Sequence, residues 1–205
     1  MKIIVIRHGE SEGDILNVHE GRADLELTKK GHMQAEKMSK WVCDNYKIDK
    51  IYCSPLKRAY KTAEYLSYYS NVQLIIEENL MEFNNGLIAG LDRLVAAEKY
   101  PRIYNLPLHL SVYEMESELE FRFRAEYVLS KIISENNEDS TIVIVSHGGM
   151  INQLFRSFIY SSIDSKIICY TDDTGIHEWV VQDGLRYIIY SNRNSHLLEF
   201  DNPSK

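Results

Sequence analysis

The stretch Lys2-Ile3-Ile4-Val5-Ile6-Arg7-His8-Gly9-Glu10 decides how this chain is read. Ile3 to Ile6 form an unbroken β-branched run, the mark of a strand buried on both faces. The run is too short for a bilayer span or a signal-peptide core. It stops at a guanidinium, an imidazole, a glycine and a carboxylate. In parallel sheets covered by helices, the site lies beyond the carboxyl ends of the strands. The residues just past each further strand therefore carry the chemistry.

Outward from this stretch, strand and helix alternate. Residues 28–46 place Ala35, Met38, Trp41 and Val42 on one helical face, with Thr28 as N-cap. Ile48–Cys53 reads as a strand, and Ser54-Pro55 as an N-cap followed by a first helical proline. Leu56, Ala59, Ala63 and Leu66 then mark a helix, and Val72–Ile76 a short strand. Residues 87–100 read as a helix through Leu87, Leu91, Leu94 and Val95. Ser117 to Glu120 form a capping box before a stripe from Phe121 to Ile133. Thr141–Val145 is an apolar strand, and Gly148-Gly149 opens a helix containing Ile151, Leu154 and Phe158. Ile176–Val181 and Tyr187–Tyr190 flank an Asp183-Gly184 turn. The expected fold is a three-layer α/β/α sandwich with a mostly parallel central sheet, one domain over residues 1–205 with a small cap at 83–115. The tail from Asp201 to Lys205 is expected to fray.

Composition sets outer bounds. The 205 residues are 44% apolar and 26% charged, as in a soluble globular protein. With 23 Lys and Arg against 30 Asp and Glu, the net charge is −7. That balance argues against nucleic acid and anionic membranes, and by itself disfavours an anionic substrate. The three cysteines, Cys43, Cys53 and Cys169, show no metal or redox spacing, which points to reduced thiols and a cytoplasmic location. A monomer and a homodimer are equally compatible with the sequence.

The strand ends answer the doubt about anions. After the first comes Arg7-His8; after the second, Ser54 to Arg58; after the third, Glu82; after the fourth, Ser146-His147-Gly148-Gly149. Arg7 and Arg58 can neutralise a phosphoryl group through planar forks that never lose their charge. Arg58 also stands in the first turn of a helix, where the dipole favours anions. A neutral His8 can attack phosphorus and hold it covalently. Glu82, with a raised pKa, can protonate the leaving alcohol and later take a proton from water. His147 can donate to the transferring oxygens. Asn17, Gly21 and Gly148 are the candidate substrate-binding residues.

Arg7-His8-Gly9-Glu10-Ser11 resembles the signature of the histidine phosphatase superfamily, with its phosphoglycerate mutase-like fold. Four more segments resemble that family in the same order: Leu25 to Ala35, Tyr52 to Ala63, Leu80 to Gly86, and Val145 to Gly149. Glu116-Ser117 with Glu120, Phe121 and Arg124 resembles another of its segments. The resemblance implies His8 as phosphorylated nucleophile, Arg7, Arg58 and His147 as the phosphate pocket, and Glu82 as proton donor and acceptor. It implies no metal, no nucleotide and no other cofactor.

Two positions depart from the pattern. Where many members carry a phosphate-touching Asn, this chain has Asp14, with Asn17 three residues on; an acidic residue is a poor phosphate contact, so Asn17 either replaces it or the contact is absent. After Gly86 the family's Trp-Glu-Gly is Ile88-Ala89-Gly90. The Asp173–Trp179 segment is expected to shape the pocket, with His177 within reach. His19 is assigned to the rim or to an ordinary loop, and His32, His109 and His196 to structural roles.

The function expected is hydrolysis of a small phosphorylated metabolite through phosphohistidine. A phosphoglycerate mutase is the alternative, disfavoured by the short segment between Glu82 and Glu116. A metal-dependent hydrolase built on His8, Glu10, His19 and His147 lacks a zinc spacing and would set two arginines against the cation. A non-catalytic module would have lost His8, Arg58 or Glu82.

Overall fold

The structure, a computed structural model, describes residues 1–200, so the expected fraying of the tail from Asp201 lies outside the described residues. Six strands form one sheet: β1 (Lys2–Arg7), β2 (Lys50–Cys53), β3 (Leu74–Ile76), β4 (Thr141–Ser146), β5 (Ile176–Gln182) and β6 (Leu185–Arg193). Their order is β3-β2-β4-β1-β5-β6. The first four are parallel to one another, and β5 and β6 run antiparallel at one side. Asp183 and Gly184 both take positive φ, the turn that matches the twist of a two-residue hairpin.

Six helices accompany the sheet: α1 (Glu12–Leu16), α2 (Lys29–Asn45), α3 (Lys57–Ser70), α4 (Arg93–Lys99), α5 (Glu118–Ser134) and α6 (Gly148–Phe158). The period-two alternation of β1 divides the core. Ile3 and Val5 pack with Phe121, Val128 and Ile132 of α5 and Ile151 and Leu154 of α6. Ile4 and Ile6 pack with Met38 and Val42 of α2 and Ala59, Ala63 and Leu66 of α3. The β1 isoleucines are wholly buried, each stabilising the fold by about 2 kcal/mol. A β-branched run with both faces covered makes the expected three layers.

Three local expectations change. Ser54 and Pro55 do not begin α3; Leu56 is its extended cap residue, and the Ser54 hydroxyl is engaged by His147 instead. The helix expected over 87–100 is broken: Gly86–Ile88 is one 3-10 turn, Gly90 takes φ +76°, and α4 starts after Asp92, whose Oδ1 accepts from the N–H groups of Leu94 and Val95. Leu94 accordingly points to solvent, 79% exposed. The short α1 adds an element to those expected; Asp14 reaches back to accept from the Ser11 N–H at 2.9 Å. Two caps stand as expected: Thr28, which accepts from Gly31 N–H, and the Ser117–Glu120 capping box.

Candidate active site

Register brings the strand ends together. β1 and β4 pair with Arg7 opposite Ser146, so His8 and His147 leave the sheet side by side. The His8 N–H still donates to Ser146 O, and Ser54 N–H to Val145 O, extending the ladder one step beyond the strands. The imidazole centroids of His8 and His147 lie 5.1 Å apart, and both residues are buried.

The tautomer of His8 is defined by its partners. His8 Nδ1 lies 2.8 Å from Gly9 O and donates to it, leaving Nε2 as the acceptor. Arg58 Nε donates to that Nε2 at 3.2 Å. Burial, then the charges of Arg58 and Arg7, hold His8 well below the ordinary imidazole value, so the ring is neutral and its Nε2 lone pair is available. His147 Nε2 lies 2.8 Å from Ser54 Oγ. Ser54 Oγ also accepts from Leu56 N–H, and it can either donate to His147 Nε2 or accept from it. Burial and the neighbouring Arg58 also hold His147 well below its ordinary range.

Arg58 is fully buried and anchored. Its Nη1 donates to Ala23 O at 2.8 Å and its Nη2 to Gly21 O at 2.7 Å. Two carbonyls thus aim the guanidinium, and Thr62, one helical turn on, donates to Arg58 O while accepting from Gly9 N–H. Gly21 is needed for this collar: its φ is +45°, and a Cβ there would run into the Asn85 carboxamide. Gly9 and Gly31 meet backbone to backbone below the site; a Cβ on Gly9 would strike Gly31 O, and one on Gly31 would strike Glu10 O.

Glu82 reaches the N-terminus of α6. Its Oε2 accepts from Gly149 N–H and its Oε1 from Phe83 N–H, each at 2.8 Å. A clasp from α5 fixes the segment that carries it: Arg124 donates to Met81 O at 2.9 Å and Glu82 O at 3.2 Å, and pairs with Glu116 at 2.7 Å. Arg7 meets Thr171 O at 3.2 Å, Asp14 at 3.5 Å and Asp173 at 3.3 Å. Gly148 opens α6 beside it, 4.0 Å from Arg7 Nε measured from the Cβ position.

Two buried polar atoms at this edge have no partner among the described residues: Arg7 Nε and His147 Nδ1. A buried guanidinium N–H without an acceptor is costly, and an oxygen of an anion would complete it. Around them, Asp14, Glu20 and Asp173 face the arginines, with Glu20 accepting from Ser11 Oγ and lying 3.8 Å from Arg58 Nε.

The five expected catalytic residues therefore share one edge, and Gly21 and Gly148 border it. Asn17 stands apart, exposed, as the left-handed residue ending α1, while Asp14 turns to Arg7. His177 does not reach the site; it meets Cys169 Sγ at 3.6 Å and accepts from Asn192 N–H at 3.3 Å. His196 pairs with Thr174 and His32 with Tyr65. Burial pushes the Cys53 and Cys169 thiols up to about 12 and about 11, far from thiolate chemistry. Among the described residues, no cluster of His, Cys, Asp or Glu is arranged to hold a metal ion, and no helix is long and apolar enough to cross a membrane. Sequence reasoning missed Ser54, Thr62 and Glu20; Ser54 and Thr62 were signalled only by their spacing from β2 and Arg58.

Paired histidines and arginines at the carboxyl edge of a parallel sheet define an enzyme that works on phosphate monoesters. The model of the histidine phosphatase superfamily (branch 1) matches residues 3–192, and the chain belongs to that family. It is 26% identical to phosphoserine phosphatase 1 of Hydrogenobacter thermophilus, covering 98% of this chain and 96% of the relative. It is 30% identical to a 2,3-bisphosphoglycerate-dependent phosphoglycerate mutase of Cytophaga hutchinsonii, covering 74% of each. Among solved structures, the phosphoserine phosphatase of Entamoeba histolytica in complex with 3-phosphoglyceric acid superimposes with a TM-score of 0.77 at 27% identity, over 96% of this chain and 99% of that one.

Proposed function

We propose that this protein hydrolyses a small phosphomonoester through a phosphohistidine on His8, without a metal or other cofactor, and with residues 83–115 as its cap. The observation that carries the proposal is the pair of buried imidazoles, held towards the neutral form, with an acceptor Nε2 at His8 beside Arg58 and, at His147, an Nδ1 without a partner among the described residues.

The steps follow from these positions. A phosphoryl group enters between Arg7, Arg58 and His147, and its oxygens take the hydrogen bond that Arg58 Nε otherwise gives His8. The freed Nε2 lone pair attacks phosphorus as the ester P–O bond breaks, and Glu82, in its acid form, protonates the departing alcohol. Water then attacks the phosphohistidine, Glu82 takes its proton, the P–N bond breaks, and inorganic phosphate leaves. His147 Nδ1–H and the two guanidiniums stabilise the charge on the transferring oxygens throughout. A mutase must keep water from its phosphoenzyme. The cap between Pro101 and Ser111, almost all of it exposed, supports hydrolysis over that alternative. The free thiols of Cys43, Cys53 and Cys169 support a cytoplasmic setting.

The test is hydrolysis of p-nitrophenyl phosphate by the wild type and by His8→Ala. The expected outcome is loss of activity in the variant, with its circular dichroism unchanged. Full activity in folded His8→Ala would refute the mechanism.

A further inference from the structure

A cavity of about 510 Å³ lies under the 83–118 segment, and none of the residues assigned to the chemistry lines it. Its walls are mostly apolar, with Phe83, Tyr100, Ile103, Leu110, Val112 and Met115 among them. Ile103 and Leu110 remain 48% and 46% exposed, apolar surface left facing open space. The volume is in the range that holds an organic ligand.

Two separate stretches of chain cross from the catalytic edge to this cavity. Glu82 holds the α6 N-terminus, and the next residue, Phe83, lines the cavity. Gly21 O anchors Arg58, Glu20 faces Arg58 Nε, and His19, adjacent to Glu20, lines the cavity. Consecutive Cα atoms are about 3.8 Å apart, so the cavity begins within one residue of the proton donor and within two of Gly21, whose carbonyl holds Arg58. Phe83 is fixed edge-on to Phe121 at 5.3 Å, which makes this wall rigid.

Part of the polar lining is already engaged within the protein. Glu116 is consumed by Arg124 at 2.7 Å and by Asn84 N–H at 2.6 Å. The Ser117 hydroxyl caps α5, and the Arg102 guanidinium lies over the Tyr104 ring at 5.4 Å.

We propose that this cavity receives the carbon skeleton of the leaving alcohol, and that the preferred substrates are phosphate esters of apolar aromatic or branched-alkyl alcohols. The assignment rests on the phosphatase reading for the position of the phosphate.

The experiment separates the two. Wild-type protein is titrated calorimetrically with methylphosphonate and with 1-naphthylmethylphosphonate, neither of which can be hydrolysed. The naphthyl compound is expected to bind at least about tenfold more tightly. Ala97 lines the cavity from the exposed side of α4, so Ala97→Trp fills the space without disturbing the sheet. This variant is expected to lose the naphthyl advantage and to keep its methylphosphonate affinity. Equal affinities in the wild type, or an advantage that survives Ala97→Trp, overturn the cavity assignment. Turnover of 1-naphthyl phosphate and phosphoserine is measured beside the titrations. Absence of all turnover with the binding preference intact would sink the phosphatase reading and leave the cavity standing. Turnover without any preference would do the reverse.

Discussion

Arg58 Nε donates to His8 Nε2 at 3.2 Å, so the proposed phosphate anchor and the proposed nucleophile are in direct contact. The same guanidinium is tied to Gly21 O and Ala23 O. Arg58→Lys keeps one charge but cannot reproduce three directed N–H bonds. The turnover number is expected to fall about 10²- to 10³-fold. Stability should drop by about 1–3 kcal/mol from the carbonyls left bare. Steady-state kinetics and urea denaturation check the two effects separately.

Glu82 is expected to matter in proportion to the basicity of the alcohol it protonates. In Glu82→Gln, hydrolysis of an alkyl phosphate should fall about 10²- to 10⁴-fold, and that of p-nitrophenyl phosphate much less, since nitrophenolate departs unaided. A comparison of kcat across leaving groups tests this. Equal losses for all esters would remove Glu82 from the donor role.

Asp173 is expected to compete with substrate for Arg7. Its carboxylate lies 3.3 Å from the guanidinium, and burial raises its pKa, an indication that its charge is poorly accommodated there. Asp173→Asn should tighten binding of vanadate about two- to fivefold, in line with the worth of a partly exposed ion pair. Inhibition constants measured at one pH decide the point; weaker inhibition would show that Asp173 supports the pocket.

Stability should decline on mild acidification. His8 and His147 are held well below 6.5, and burial lowers His177 and His196 to about 4. The unfolded chain protonates these rings near 6.5 while the native protein does not, so the unfolded state binds more protons below that pH. Stability present above about pH 6.5 is therefore lost progressively as pH falls towards about 4, by up to about 2 kcal/mol per histidine at about pH 5. The raised Asp173 opposes this weakly, and Glu10 and Glu77, which are lowered, act only in more acid solution. Thermal midpoints at about pH 7.5 and about pH 5 provide the test, and a midpoint that rises on acidification would contradict it.

The parallel core was legible because Ile3 to Ile6 and Thr141 to Val145 carry their burial in their composition. The candidate site was legible at His8 and His147 because each directly follows a strand end, and at Arg58 and Glu82 because the segments after β2 and β3 return to the same edge. Legibility stopped where partners come from loops. Nothing in the sequence near Glu20 indicates that it faces Arg58, and nothing near Ser54 indicates that its hydroxyl serves His147 rather than α3. The 87–100 segment misled because Leu87, Leu91 and Leu94 have helical spacing, whereas Gly90 in a left-handed conformation and the Asp92 cap divide it. Asn17 was not placed by its spacing alone, since α1 ends on it in a left-handed conformation and leaves it exposed.

Gly9 and Gly31, 22 residues apart, each leave side-chain space that backbone fills: Gly31 O at Gly9 and Glu10 O at Gly31. Neither can mutate alone, because a methyl on either would push the nucleophile's loop away from α2. Nor can both change together, since each Cβ strikes backbone, which no second substitution removes. For inheritance the pair is a frozen site: exposed positions such as Lys40 and Tyr68 can vary, but lineages that lose either glycine should also lose the activity, and a saturation-mutagenesis library should show both positions empty of survivors.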